Sequence, residues 1–506
     1  RPAGRLALQC SRSLERREID FAGRALELID RATVALQEMR VSESKAGIMK
    51  HSLVGVLRLV AGVTSLVCGV VLPAAAQDAH YWTNQYGTRG ELVGGLVVGS
   101  VVDLSATFYN PAAIVFIDQP SLVLTTDAWE YQHFTFDDTA PEALDLRAGR
   151  VRPAPSLFAL QLPSKQSKHR FAVSAVTRHS FEMDAAARRI PTAQEIEADP
   201  NSIASSLEAS VKRRLGEAWL GFSWAYPIGR RVAVGVTTYG AGRSQTGRSQ
   251  VLSHVVDSAG SGSAIRLVRE FSYWNVRLLW KVGVALDLQP LTLGVTMTTP
   301  SINVFGRGRM LINDGMWAVN LSDSTTINEL EATFQNGLAA RYKSAAAVAI
   351  GAAFRFGSST AYATAEWFSR VGRYTIISAG DIVGQTTGDT LSPELIYELR
   401  SVVNWGIGAQ HAFSDRFQLY GAFFTDHSAL PVGTTYDIPV AVSDWDIWHL
   451  SAGGAFVLGN IDITLGASYG WGSDTVNRPI EVPGGSPTAD MQFRSIKLIF
   501  GFGAAF

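Results

Sequence analysis

Cysteine is almost missing from this chain. Only Cys10 and Cys68 occur in 506 residues, and both precede residue 77. The remainder therefore has no disulfide and no thiolate metal site. Charge is sparse as well: 18% of residues are Asp, Glu, Lys or Arg, against roughly 25% in soluble domains. Basic and acidic residues number 44 and 45, so nothing electrostatic invites nucleic acid as a partner. There is no phosphate-binding loop, no His-Glu-x-x-His and no paired-cysteine motif. His133, His169, His179, His411, His427 and His449 are scattered without ligand spacing. We therefore expect no catalytic residue, no metal and no cofactor. Mean hydropathy is only +0.10, too low for a bundle of membrane helices.

What is present is alternation. Hydrophobic residues make up 47% of the chain, and from Pro120 onward they fall on every second position. Side chains of a strand point to opposite faces with period 2. At the end of the chain, Ile496, Leu498, Phe500, Phe502, Ala504 and Phe506 share one face. Ser495, Lys497, Gly501, Gly503 and Ala505 share the other, with Ile499 the single exception. A last strand that is greasy on one face and ends on an aromatic residue fits an outer-membrane barrel. Phe506 is then the expected handle for the barrel-assembly machinery.

Strands are expected at about 121–135, 152–162, 169–182, 214–228, 231–246, 265–288, 290–313, 332–357, 360–378, 396–413, 416–426, 445–458, 460–473 and 490–506. Short turns such as Pro163–Lys168, Gln289-Pro290 and Gly459-Asn460 alternate with long links such as 183–213, 247–264 and 314–331. Bacterial barrels sort their connections in this way, with short turns on the periplasmic side and long loops outside. The count is even, and both chain ends fall on the short-turn side. The expected fold class is all-β, a 14-stranded antiparallel transmembrane β-barrel. Its surroundings would be outer-membrane lipid and lipopolysaccharide.

The chain begins at Arg1, and residues 1–48 are charged. Met49-Lys50-His51, an apolar run from Leu59 to Leu72, and Ala74-Ala75-Ala76 then follow the order of a secretory signal. We expect 1–48 to be an upstream or non-native extension and 49–76 a signal peptide cleaved after Ala76. The rival is a signal anchor over Leu53–Ala76, which Arg58 interrupts.

About forty residues then precede the first strand. They include Gly94-Gly95-Leu96-Val97-Val98-Gly99 and Leu104-Ser105-Ala106-Thr107-Phe108-Tyr109-Asn110-Pro111-Ala112-Ala113. This stretch resembles the hatch of the outer-membrane long-chain fatty acid transporter family (FadL-type, with its aromatic-hydrocarbon members). Leu293-Gly294-Val295-Thr296 running to Thr299-Pro300 and the terminal Gly501–Phe506 extend the resemblance over 77–506. The resemblance implies a hatch over 77–119 plugging a barrel over 120–506. It also implies a hatch or gate role for Phe108, Tyr109, Asn110, Pro111 and Ala112, beside an opening in the wall. The expected partner is a hydrophobic small molecule, a fatty acid or hydrocarbon, taken up across the cell outer membrane of a Gram-negative-type bacterium.

The sequence departs from the family at Ala113-Ile114-Val115, where Gly-Leu is common. The charged 183–213 link is also a poor greasy funnel. Ligand-capture candidates are Leu252, Val255, Val256, Met310, Leu311, Ile312, Met316, Trp317 and Leu321, on the two links at 247–264 and 314–331 and their flanks. Arg307, Arg309 and Arg355 are candidates to receive a carboxylate. The alternative is a general porin or structural barrel without a hydrophobic substrate. A barrel enzyme would need a Ser–His pair, and His179-Ser180 is the only loose match, on opposite faces of one strand.

Overall fold

The computed structural model describes residues 79–505 apart from 101, 118–120, 138–145, 164–166, 191–201, 258–261, 321–325, 387, 432–437, 439, 441–442 and 478–487. The extension, the signal peptide, Leu321 and Phe506 lie outside the described residues.

Two short helical turns come first, α1 (Ala106–Tyr109) and a 3-10 turn (Pro111–Phe116). The strands are β1 (Ser121–Asp137), β2 (Leu146–Leu162), β3 (Arg170–Arg189), β4 (Ser202–Pro227), β5 (Val232–Asp257), β6 (Gly262–Asp287), β7 (Leu291–Thr298), β8 (Ile302–Asn320), β9 (Thr326–Ala339) and β10 (Ala347–Phe356). Then follow β11 (Ser359–Phe368), β12 (Val371–Ser378), β13 (Ile382–Val383), β14 (Thr390–Leu391), β15 (Glu394–Leu399), β16 (Val402–Ser414), β17 (Phe417–Asp426), β18 (Ile447–Leu458), β19 (Ile461–Asn477) and β20 (Thr488–Ala505).

Fourteen strands, β1–β7, β10, β11 and β16–β20, form a closed antiparallel ring. The ring shuts where β1 meets β20, with Ser121 opposite Ala505. Closure leaves no open edge in hydrocarbon, where an unpaired backbone group has no partner. Among the described residues no helix is long and apolar enough to cross a membrane. The alternation read from the sequence sets which face meets lipid. On β20, Ile496, Leu498 and Phe500 are exposed outward, while Ser495 and Lys497 are buried inward. Ile499, the exception, is also buried and belongs to the interior apolar cluster.

The strands run further than the alternation suggests. β4, β5 and β6 have 26 residues each, whereas about 9–11 cross a bilayer. Beyond the bilayer neither face meets lipid, so the apolar periodicity fades while backbone pairing continues. The 183–213 link is therefore largely β3 and β4. Its charges form cross-strand pairs: Arg188–Glu208 at 3.0 Å, Lys212–Asp184 at 2.8 Å and Arg214–Glu182 at 2.8 Å. The 247–264 and 314–331 links are likewise mostly strand.

Four expected strands are broken. The 290–313 segment divides into β7 and β8, 332–357 into β9 and β10, 360–378 into β11 and β12, and 396–413 into β15 and β16. β8 stays beside the far half of β6, while β12 and β15 leave the ring as a separate hairpin. Ile377 of that hairpin packs over Gly308 of β8. The wall is also interrupted between β2 and β3. Among the described residues they pair only from Leu157↔Val176 to Leu162↔Phe171. A bulge in the β3–β4 ladder follows at Thr177/His179.

Residues 79–117 have partners around much of the ring. Ser451 of β18 donates to Leu92 O, Tyr239 of β5 to Thr107 O, and Lys497 of β20 to Thr83 O. Arg89 pairs with Asp462 of β19 at 2.8 Å. The approach is close because the wall presents glycine. A Cβ on Gly294 would stand 1.9 Å from Val98 O, and one on Gly351 2.7 Å from Gly99 N. Cβ atoms on Gly453 and Gly466 would meet Leu92, and one on Gly501 would meet Thr88. Gly294→Val should let the ring form but overpack this contact, at a cost of roughly 1–3 kcal/mol. A lower thermal unfolding midpoint of the folded barrel is the expected reading.

Candidate functional site

The Asn110-Pro111 step uses its turn chemistry. The Asn110 side chain caps the 3-10 turn, accepting from Ala112 N at 3.2 Å, and Pro111 fills the first position. Its amide also donates to Val98 O at 2.9 Å and to Val284 O of β6 at 3.0 Å. Pro111 and Ala112 press on Gly235 of β5, among Ala172, Ala225, Ala233 and Ala285. Asn110-Pro111 and the 3-10 turn therefore sit against β4, β5 and β6.

Phe108 and Tyr109 face another environment. The Tyr109 hydroxyl donates to Gln85 Oε1 at 2.7 Å and accepts from Tyr86 N at 2.8 Å. Phe108 meets Tyr86 edge-on at 4.4 Å. Lys281 Nζ lies 4.6 Å from its ring centroid and Arg178 Cζ 5.7 Å. A cavity of about 40 Å³ opens here, lined by Phe108, Trp219, Tyr81, Arg178, Lys281 and Glu366 among others. Trp82 Nε1 donates to Glu366 Oε2 at 2.7 Å, and Lys281 lies 3.9 Å from Glu366 Oε1. On the β3 side, at the bulge, Thr177 O accepts from Tyr86 Oη at 3.0 Å and Asn84 Nδ2 at 3.3 Å. Arg178 donates to Tyr81 O at 2.7 Å.

A charged layer adjoins this cavity. Glu217 of β4 accepts from Arg243 of β5 at 2.9 Å and Trp219 Nε1 at 2.6 Å, and pairs with Arg277 of β6 at 2.7 Å. Both guanidinium groups lie over the Tyr342 ring. This layer and the cavity together hold Arg178, Arg243, Arg277 and Lys281 against Glu217 and Glu366. A second apolar cluster lies toward the long-connection end, joining Phe134, Phe181, Met183, Met491 and Phe493 around Trp445.

The start of the inner segment is tied to the β17–β18 connection. Asp426 accepts from Tyr81 N, Trp82 N and Thr83 Oγ1, and Ala429 N donates to Ala79 O. His427 Nδ1 and Asp446 Oδ2 are 2.8 Å apart, and Ser428 N donates to Asp446 Oδ1 at 2.9 Å. The bond to Asp446 holds His427 above the usual histidine value, against the opposing effect of burial. Burial pushes the Asp446 carboxyl up, but the bonds from His427 and Ser428 outweigh it and hold it low.

The capture candidates do not form one groove. Those among the described residues lie on β5 and β8 rather than on loops. Met310 and Ile312 are buried inward, Leu311 between them has the opposite face, and Trp317 is exposed. Leu252, Val255 and Val256 lie at the far end of β5, with Val255 opposite Ser263. Met316 pairs with Ile265 on β6. Arg309 is engaged by Glu270 at 3.2 Å. Arg178, Trp219, Lys281 and Glu366 were not singled out from the sequence. The available signal was a lone lysine within Leu278-Leu279-Trp280-Lys281-Val282. Gly466-Ala467-Ser468-Tyr469-Gly470 spells a hydrolase-like string, but it runs along β19 between β18 and β20. It lacks the strand-to-helix elbow that such a nucleophile needs.

Two outcomes follow from this geometry. Glu217→Ala strands two buried guanidinium groups and should cost about 3–5 kcal/mol, read as a lower urea midpoint for barrel unfolding. The His427–Asp446 link should hold across a bounded pH window. The contribution of His427 is complete below its unfolded value of about 6.5 and is lost as pH rises through its raised folded value. That of Asp446 is present above its unfolded value and is lost as pH falls through its lowered folded value. Exchange of the Ser428 amide should be slowest inside the window, and His427→Gln should abolish the alkaline limb.

No family model matches this chain, and no curated protein matches it. Solved structures do. A FadL homologue of Pseudomonas aeruginosa aligns with 14% identity and TM-score 0.53, over 85% of this chain and 99% of that one. The Pseudomonas putida toluene transporter TodX aligns with 12% identity and TM-score 0.53, over 84% and 98%. The Ralstonia pickettii toluene transporter TbuX aligns with 12% identity and TM-score 0.52, over 84% and 99%. At these identities the likeness is one of fold, and this chain has the FadL-type barrel fold.

Proposed function

We propose that this chain takes up hydrophobic small molecules, long-chain fatty acids or related hydrocarbons, across a bacterial outer membrane. In this reading residues 77–119 are the hatch, and Phe108, Tyr109, Asn110, Pro111 and Ala112 form its gate. The observation that carries it is the aromatic cavity at Phe108 and Trp219, buried inside a closed ring and edged by Arg178 and Lys281. A water-filled porin has no use for such a site. TbuX and TodX, which share the fold, are toluene transporters, and this supports the same class of cargo.

The energetics favour a moving hatch. Each buried CH₂ contributes roughly 0.8 kcal/mol, so a rigid pocket would hold a long chain too tightly to release it. A cavity of about 40 Å³ has room for a few water-sized spheres and none for a hydrocarbon, so the segment must shift to admit cargo. Arg178 and Lys281 give an anionic end a partner, and Phe108 and Trp219 give the tail an apolar wall. Cargo would enter from the long-connection end, past the cluster around Trp445.

Cells carrying the chain should accumulate radiolabelled oleate or toluene faster than cells without it. A disulfide locking residues 87–99 to the wall should stop uptake while leaving the barrel folded. Deleting 77–118 should instead raise leakage of small polar solutes. Uptake that persists in the locked form would refute the gating role. An unchanged leak after deletion would favour a barrel without a hatch.

A further inference from the structure

A second cavity, of about 330 Å³, lies nearer the short-turn end. Its apolar lining includes Phe116, Leu286, Leu293 and Ala353, and its polar lining includes Asp287 and Arg355. That size is at the lower end of small-molecule sites, roughly 300–1,000 Å³. Strands β6, β7 and β11 line both cavities. Along β6, Lys281 borders the first and Asp287 the second, six residues on, or roughly 20 Å at ~3.3 Å per residue.

Val98 lines both. It forms the partition between them. Val98 O sits over Gly294, and Val98 Cβ over Gly351 beside Thr364 Oγ1 of β11. One side-chain bond, from Asn110 Nδ2, reaches Val98 O at 2.9 Å. Upstream, Gly94 and Gly95 adopt positive φ of 62° and 73°, a turn that only glycine enters without strain. Beside the first cavity, three side-chain bonds tie β3 to the segment, from Asn84 and Tyr86 to Thr177 O and from Arg178 to Tyr81 O.

We infer that the second cavity is an exit chamber, a binding site for a small and largely apolar molecule whose one polar end meets Arg355. Val98-Gly99 is the partition that shifts to fill it. This rests on the transport reading and adds a direction to it: cargo leaves along β6, β7 and β11 toward the short-turn end. Displacement of Val98 off Gly294 and Gly351 joins the two cavities without disturbing any strand ladder.

Toluene uptake by cells, with the yield of heat-modifiable barrel as the folding control, tests the route. Ala353→Trp fills the chamber, and Val98→Trp thickens the partition. Both are expected to lower toluene uptake by about tenfold or more. Should either fail to fold, Ala353→Leu replaces it. Crystals of the wild-type protein soaked with 1-bromooctane supply the second reading, in which bromine density is expected between Leu293 and Phe116. Wild-type uptake with variants that match it, or bromine absent from the chamber, overturns the exit route and leaves the transport reading intact. A wild-type protein that takes up neither toluene nor oleate overturns both.

Discussion

In hydrocarbon every backbone N–H and C=O must find its partner within the protein, and this constraint organises the whole chain. The ring meets it by joining β1 to β20. Where the ring departs from a complete ladder, another part of the molecule supplies the partner. At the bulge beyond the β2–β3 pairing, Thr177 O turns to Tyr86 and Asn84 of the inner segment. Where β12 and β15 leave the ring, Ser369 N donates to Ala346 O and Arg400 N to Ala429 O. The inner segment is thus part of how the wall satisfies its own polar groups.

Glycine makes that arrangement possible. Gly235, Gly283, Gly294, Gly351, Gly453 and Gly466 lie on strands around the ring, and each meets the segment where a Cβ would collide with it. The result is a layered interior. Toward the long-connection end lies the aromatic cluster around Trp445, then the Glu217–Arg243–Arg277 layer, then the cavity at Phe108, then the glycine seats under Val98. The charged layer is tolerable because each guanidinium has a carboxylate and an aromatic ring against it.

Much of the wall was legible in advance. Fourteen alternating segments match fourteen ring positions because lipid imposes period 2 wherever a strand crosses it. The strand ends were less legible. β4, β5 and β6 continue past the bilayer, where their sequence carries no apolar signature, and Arg188, Lys212 and Arg214 looked like loop charges. Of the breaks, only Pro300 marked one, since proline interrupts a ladder. The stretches 340–346, 369–370 and 400–401 carry no such mark. Asn110-Pro111 was visible as a motif, but its contact with Val284 O was not. Lys281 and Glu366 each read as an ordinary inward polar residue.

The sequence alone determined the number of crossings, the face each strand turns to lipid, and the side on which the short turns fall. These depend on periodicity and turn chemistry, which are local. Closure decided the rest. Arg178, Lys281 and Glu366 come from β3, β6 and β11, and Phe108 from before the first strand. Their meeting depends on strand register, on where the ladder stops, and on the wall glycines that admit the segment. Residues that face one another across a lumen are neighbours only once the ring is shut, and no periodicity along the chain encodes that.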